Sequence, residues 1–207
     1  MILPYRILAV DPATTKSGWA VLDIISLHPL KIVIVASGQL DGQKLLRNKK
    51  EMLTIFSSQF CVLDALLDEY ERLIELYKPD QIVSESAYGY VHMSALIALT
   101  LAINVLRRAS KRLLNKDVIT IPPTISKNAF AGSGGADKDR MRIAYQTNEY
   151  LEGVVPNSEI SEHEIDAIAH GVGYIRRDII GDIQQISAKD KRRLKLQKQK
   201  EKDKLKV

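Results

Sequence analysis

The sequence predicts an α/β domain in which helices cover a mixed five-stranded sheet. Three observations carry that expectation. Short apolar runs follow one another closely at the start of the chain. Longer segments with three- and four-residue apolar spacing come next, and strands then alternate with helices.

The first strand is Arg6 to Val10 (RILAV), stopped by Asp11-Pro12. A loop of small polar residues from Ala13 to Gly18 leads to a second strand, Trp19 to Ile24, and a third, Lys31 to Ser37. Their short connections argue for an antiparallel meander. From Gln43 to Tyr77 the pattern is helical, with Leu63, Leu66, Leu67, Tyr70, Leu73, Ile74 and Tyr77 forming one apolar stripe. Lys78-Pro79-Asp80 ends it, and a fourth strand, Gln81 to Ser84, delivers Glu85 at its end. Ser94 to Leu114 reads as an apolar helix whose late Arg107, Arg108, Lys111 and Arg112 suit the helix dipole. Asp117 to Ile121 is the fifth strand, closed by Pro122-Pro123. A loop bearing Ser126, Lys127 and Gly132-Ser133-Gly134-Gly135 then precedes a helix from Asp137 to Tyr150. The last helix opens at Ser161, where Glu164 completes a capping box, and runs to about Ile180.

With 207 residues, 45% apolar and 27% charged, the chain is long enough for one domain with additions. The single cysteine, Cys61, excludes an internal disulfide framework and a cysteine-cluster zinc site, and fits a reducing compartment. The formal charge of +5 is unevenly spread. Residues 187–207 hold ten Lys/Arg against three Asp/Glu, a balance of +7, which leaves the body, residues 1–186, at −2. A uniformly basic coat for nucleic acid is therefore excluded. The tail has scarcely any residues able to pack a core and is expected to be a disordered or frayed helical arm. No apolar run approaches the roughly 20 residues that cross a bilayer. The opening MILPYRILAVDP lacks a basic n-region, so an intracellular, cytoplasmic location is expected.

Three acids stand where elements begin or end beside apolar chain: Asp11 after ILAV, Glu85 after QIVS, and Asp166 one turn into the capped helix. Taken singly, each is also explained as a turn residue, a strand end or a first-turn acid. Together they gain force, because carboxylates at the ends of neighbouring strands converge on one edge of a sheet. Convergent oxygens are what a hard divalent cation requires. The run GSGG lacks the spacing and the GK[ST] of a phosphate loop, which excludes that type of nucleotide-triphosphate site.

The order of four segments resembles the RuvC family of Holliday-junction resolvases, which have the ribonuclease H-like fold. They are ILAVDPATTKSGWAVLD, KPDQIVSESAY, ISKNAFAGSGGADKDRM and HEIDAIAHG. The resemblance implies a five-stranded sheet with helices on both faces, and a nuclease that cleaves four-way DNA junctions. It implies Asp11, Glu85, His163 and Asp166 as metal ligands, with Glu162 and Glu164 as alternatives to His163. It further implies two Mg²⁺ ions per site, about 4 Å apart, clamping the scissile phosphate. Histidine in place of an acid leaves the site one negative charge poorer, which keeps Mn²⁺ open as the alternative to Mg²⁺. Lys138, with Lys127, is implied at the scissile strand, Tyr88 (or Tyr90) as an aromatic wedge in the junction, and a homodimer matched to symmetric cutting. The alternatives are a related nuclease acting on other branched DNA or RNA, and a non-catalytic nucleic-acid-binding module on the same fold.

Overall fold

Period-two alternation in the first strand divides the molecule. Strand β1 (Tyr5–Asp11) sends Ile7 and Ala9 to one face of the sheet and Leu8 and Val10 to the other. The structure, a computed structural model, describes residues 1–87 and 92–182. Tyr88, Tyr90 and the basic tail lie outside the described residues.

Strands β2 (Lys16–Leu27) and β3 (Leu30–Asp41) extend β1 as the expected antiparallel meander. The short helix α1 (Gly42–Leu45) follows, and then α2 (Ser58–Tyr77). Strand β4 (Gln81–Glu85) lies parallel to β1, and after α3 (Met93–Leu114) strand β5 (Ile119–Ile121) lies parallel to β4. Helices α4 (Pro123–Ala131) and α5 (Lys138–Thr147) come next. Strand β6 (Leu151–Glu152) then pairs parallel with β3, and α6 (Glu162–Tyr174) continues into a π-helical turn, Ile175–Ile180. The sheet order is β5-β4-β1-β2-β3-β6. Against Leu8, Val10, Val21 and Ile82 pack Leu66, Tyr70 and Leu73 of α2 and Val105 and Leu106 of α3. Against Ile7, Ala9, Leu22 and Val83 pack Phe130, Met141, Ile165, Ile168 and Val172 of α4, α5 and α6.

Four expectations need correction. The stretch from Gln43 to Tyr77 is not one helix, because two N-caps start separate helices: Asp41, just before it, accepts from the Gln43 and Lys44 amides, and Ser57, within it, from that of Phe60. Between them lie only α1 and two 3₁₀ turns, Leu46–Lys49 and Met52–Thr54. The stretch that carries Ser126 and Lys127 is helix α4, not a loop. Pro123 occupies its first turn, where a missing N–H is harmless. The described sheet has a sixth strand, β6, too short for any alternation to show. Finally, α3 does reach the length and hydropathy of a membrane span, since its charges are confined to its last turns. Its Ala102, Val105, Leu106 and Ala109 are nevertheless buried in the protein.

Two glycines set the height of α6 over the sheet. A Cβ at Gly171 would collide with the Leu22 side chain, and one at Gly18 with the backbone of His163. Helix α6 can therefore lie directly across β1 and β2, with its first turn above the end of β1.

Candidate active site

The alternation that sorts the core also aims the acids. Asp11 follows Ile7 and Ala9 onto the α6 face, and Glu85 follows Val83 onto the same face of β4. In the parallel pair, Val10 lies opposite Ser84, so Asp11 and Glu85 stand side by side one step further on. Asp166 comes from above, on α6, and all three line one cleft with Ser126, Lys127 and His170.

The backbone at Asp11 is braced from below. Ser17 donates to the Asp11 carbonyl at 3.0 Å, and Tyr70, on the opposite face, lies 3.0 Å from the Ser17 hydroxyl. Above, Nδ1 of His163 lies 3.0 Å from Oδ2 of Asp11. Burial pushes the Asp11 carboxyl up, but the hydrogen bond from His163 and the nearby His170 imidazole together outweigh it and leave the net direction down. His163 moves up in turn, chiefly through its bond to Asp11. Glu85 and Asp166 are both raised, first by burial and then by the Asp11 charge. Neither carboxylate makes a hydrogen bond among the described residues. An acid cluster of this kind is stabilised by a bound cation, and the oxygen-rich donor set fits one.

The capped start of α6 separates the competing acids of its first turn. Glu164 accepts from the Ser161 amide and from the Ser37 hydroxyl, so the capping box and β3 occupy it. Glu162 turns outward to Lys138, with Nζ–Oε2 at 2.5 Å. His163 is the residue of this turn that reaches Asp11. Lys138 is exposed, and its ammonium is stabilised by Glu162. It lines an adjoining cleft with Lys127, Arg142 and Asp166. Lys127 donates to the Ala136 carbonyl at 3.2 Å, and its charge acts on Glu85 and Asp166.

Comparison with known proteins points one way. The chain is 28% identical over 141 residues to a crossover junction endodeoxyribonuclease RuvC of Hydrogenovibrio crunogenus, covering 68% of this chain and 73% of that protein. It is 27% identical over 146 residues to the protein of the same name from Bacteroides fragilis, covering 68% and 69%. Among solved structures, Thermus thermophilus RuvC superposes with a TM-score of 0.65 at 16% identity, over 85% of this chain and 96% of that one. The yeast mitochondrial Holliday junction resolvase Ydc2 superposes with a TM-score of 0.58 at 15% identity, over 84% and 78%. The chain is a homologue of the RuvC endonucleases. No protein-family model matches the sequence. The RuvC-like, ribonuclease H-like fold accounts for the mixed sheet and its two helical layers.

One residue of this cleft escapes sequence reasoning. His170 is buried, and it lines the cleft with Asp11 and Glu85. It lies in AIAHGV, an apolar run that reads as core. The signal that marks it is spacing: it is four residues after Asp166 and shares that face of the helix. Of the residues implied by the resemblance, Asp11, Glu85, Asp166 and Lys127 share the cleft, and His163 borders Asp11. Lys138 stands outside it, and Tyr88 is not among the described residues.

Proposed function

We propose that this protein is a metal-dependent endonuclease that cleaves four-way DNA junctions, acting as a homodimer in the intracellular compartment. The observation that carries the reading is the convergence of Asp11 and Glu85 from adjacent strand ends beneath Asp166. The names of the homologous proteins, and the fold they share with this chain, support it. Two divalent cations, Mg²⁺ or Mn²⁺, held by Asp11, Glu85, Asp166 and His163 would activate water and stabilise the leaving 3′ oxygen. Asp11 supplies an ionised carboxylate on a backbone fixed by Ser17. His163 holds a proton at Nδ1 toward Asp11, since an ionised carboxylate can only accept.

Lys127 neutralises charge beside Glu85 and Asp166, and Lys138 places a second cation at the mouth, where the scissile strand would approach. Tyr88 would stack on an unpaired base of the junction, and two copies of the chain would set two such sites on opposing strands. The basic segment 187–207 would add phosphate contacts. Its removal should flatten the salt dependence of DNA binding by about 0.9 log unit per lost contact.

The test is a fluorescent four-way junction assayed beside a linear duplex, a flap and an RNA–DNA hybrid, with Mg²⁺ and with Mn²⁺. Paired, symmetric nicks in the junction are expected, with little cutting of the other three. Equal cutting of duplex and junction would overturn the substrate assignment.

A further inference from the structure

We propose that His170 is itself a cation ligand, acting with Asp11 and Glu85, and that Ser126 holds its ring in the ligating tautomer. The inference rests on the reading of this cleft as a cation site and adds a residue to it. Asp11, Glu85 and His170 each offer a ligand atom within 4.8 Å of the others. Only 4% of His170 is exposed, yet its Nε2 makes no hydrogen bond among the described residues. The nearest carboxylate oxygen, Oδ1 of Asp11, is 3.9 Å away, beyond hydrogen-bond reach. A buried imidazole nitrogen facing two carboxylates across a cleft is destabilising unless something fills the gap between them.

The other ring nitrogen explains the orientation. Nδ1 of His170 lies 2.8 Å from the hydroxyl of Ser126, itself buried on α4. With the Nδ1 proton given to that hydroxyl, the neutral ring carries its lone pair at Nε2, facing the acids. Gly173 makes the arrangement sterically feasible. A Cβ there would stand 3.1 Å from Ser126 Cα and 3.2 Å from its Oγ, pressing α4 away from α6. His163 differs on both counts. Its side chain is 37% exposed, and its Nδ1 is engaged with Asp11. An imidazole buried in the donor set shifts preference from Mg²⁺ toward Mn²⁺.

The probe is Mn²⁺ alone, bound to the full chain, with nitrogen coordination read by pulsed electron paramagnetic resonance. Imidazole-nitrogen modulation of the bound Mn²⁺ is expected in the wild type and in His163→Ala. It should vanish in the His163→Ala/His170→Ala double variant, and likewise when His170→Gln replaces His170→Ala in the pair. A melting curve in chelator that matches the parent shows that these variants fold. Ser126→Ala should weaken Mn²⁺ binding at least about tenfold. Mg²⁺ binding should weaken less. Modulation that survives in the folded double variants, or that is already lost in His163→Ala, overturns the role of His170 while leaving the cation site intact. Failure of the wild type to bind Mn²⁺ or Mg²⁺ in equilibrium dialysis would overturn the site itself, and this inference with it.

Discussion

The two ends of β1 carry opposite electrostatic designs. At the start, Arg6 faces Asp23 across the β1–β2 ladder, and its guanidinium forks onto both carboxylate oxygens at 2.7 Å. The same guanidinium reaches the Tyr77 carbonyl, and the Arg6 amide donates to Asp80 at 2.8 Å. Six residues of chain lead to the other end, where Asp11, Glu85 and Asp166 meet with no Arg or Lys bonded to any of them among the described residues. Lys127 has a backbone carbonyl as its hydrogen-bond partner, and Lys138 is held by Glu162. A closed fork satisfies its own charges and serves the fold. An open set of acids leaves room for a charge from outside, which is the property of a site.

The comparison breaks most sharply under charge removal. Asp11→Asn should lower junction cutting by at least about 10³-fold, since cation stabilisation of the transition state is worth several kcal/mol and each tenfold is about 1.4 kcal/mol. Junction binding, measured by gel shift in Ca²⁺ or chelator, should persist. Cutting at the wild-type rate would remove Asp11 from the site. At the opposite end, Asp23→Asn should leave specific cutting unchanged but destabilise the fold by about 1–3 kcal/mol, the value of a hydrogen-bonded charge pair. That corresponds to about 2–4 °C in melting temperature per kcal/mol for a chain of this size. A Tm unchanged by Asp23→Asn would show that the fork is not structural.

Legibility in the sequence follows the same division. Asp11, Glu85 and Asp166 stand out because a charge beside an apolar strand or helix face needs a reason, and because strand periodicity and helix caps are local rules. Five strands could be read for the same cause. What could not be read depended on distance in the chain. Strand β6 exists only through two pairs with Ile32 and Val33. Helix α4 begins at Pro123, where the Pro122-Pro123 pair reads as a stop, although the second proline favours a helical first turn. His170 sits in an apolar run, and only its tertiary neighbours, Ser126 and Asp11, give it a role.

A smaller effect, of opposite sign, separates the ends again. Burial and the neighbouring Asp11 and Asp166 charges raise Glu85 above its ordinary 4.5. A raised folded-state value means that the metal-free fold holds this proton more tightly than the unfolded chain does. Its contribution is complete below the unfolded value and is lost as pH rises through the folded one. At neutral pH the charge therefore destabilises the metal-free protein. Glu85→Gln, which imitates the protonated group, should raise the melting temperature in chelator and reduce the gain in stability that acidification gives the wild type. It should also weaken Mn²⁺ binding. A lower melting temperature in chelator would mean that Glu85 has a structural partner, as Asp23 does.

The least effect is expected where the site end is joined to the opposite core. Ser17 has one proton, which goes to the Asp11 carbonyl, so the Tyr70 hydroxyl donates to Ser17 from the α2 side. Tyr70→Phe should remove about 0.5–1.5 kcal/mol of stability at neutral pH, one ordinary hydrogen bond. Ser17 keeps its own bond to Asp11, so cutting should stay within about threefold of wild type. Alkali gives this variant a signature. Burial first, and the Asp11 charge after it, raise Tyr70 above its ordinary 10.0. The unfolded chain would ionise Tyr70 near pH 10 while the folded chain keeps the phenol neutral, so the wild type loses stability as pH climbs past that value. Phenylalanine has no proton to lose. The difference in melting temperature between variant and wild type should therefore shrink above pH 10; a constant difference would show that Tyr70 is not held neutral beneath the Asp11 charge.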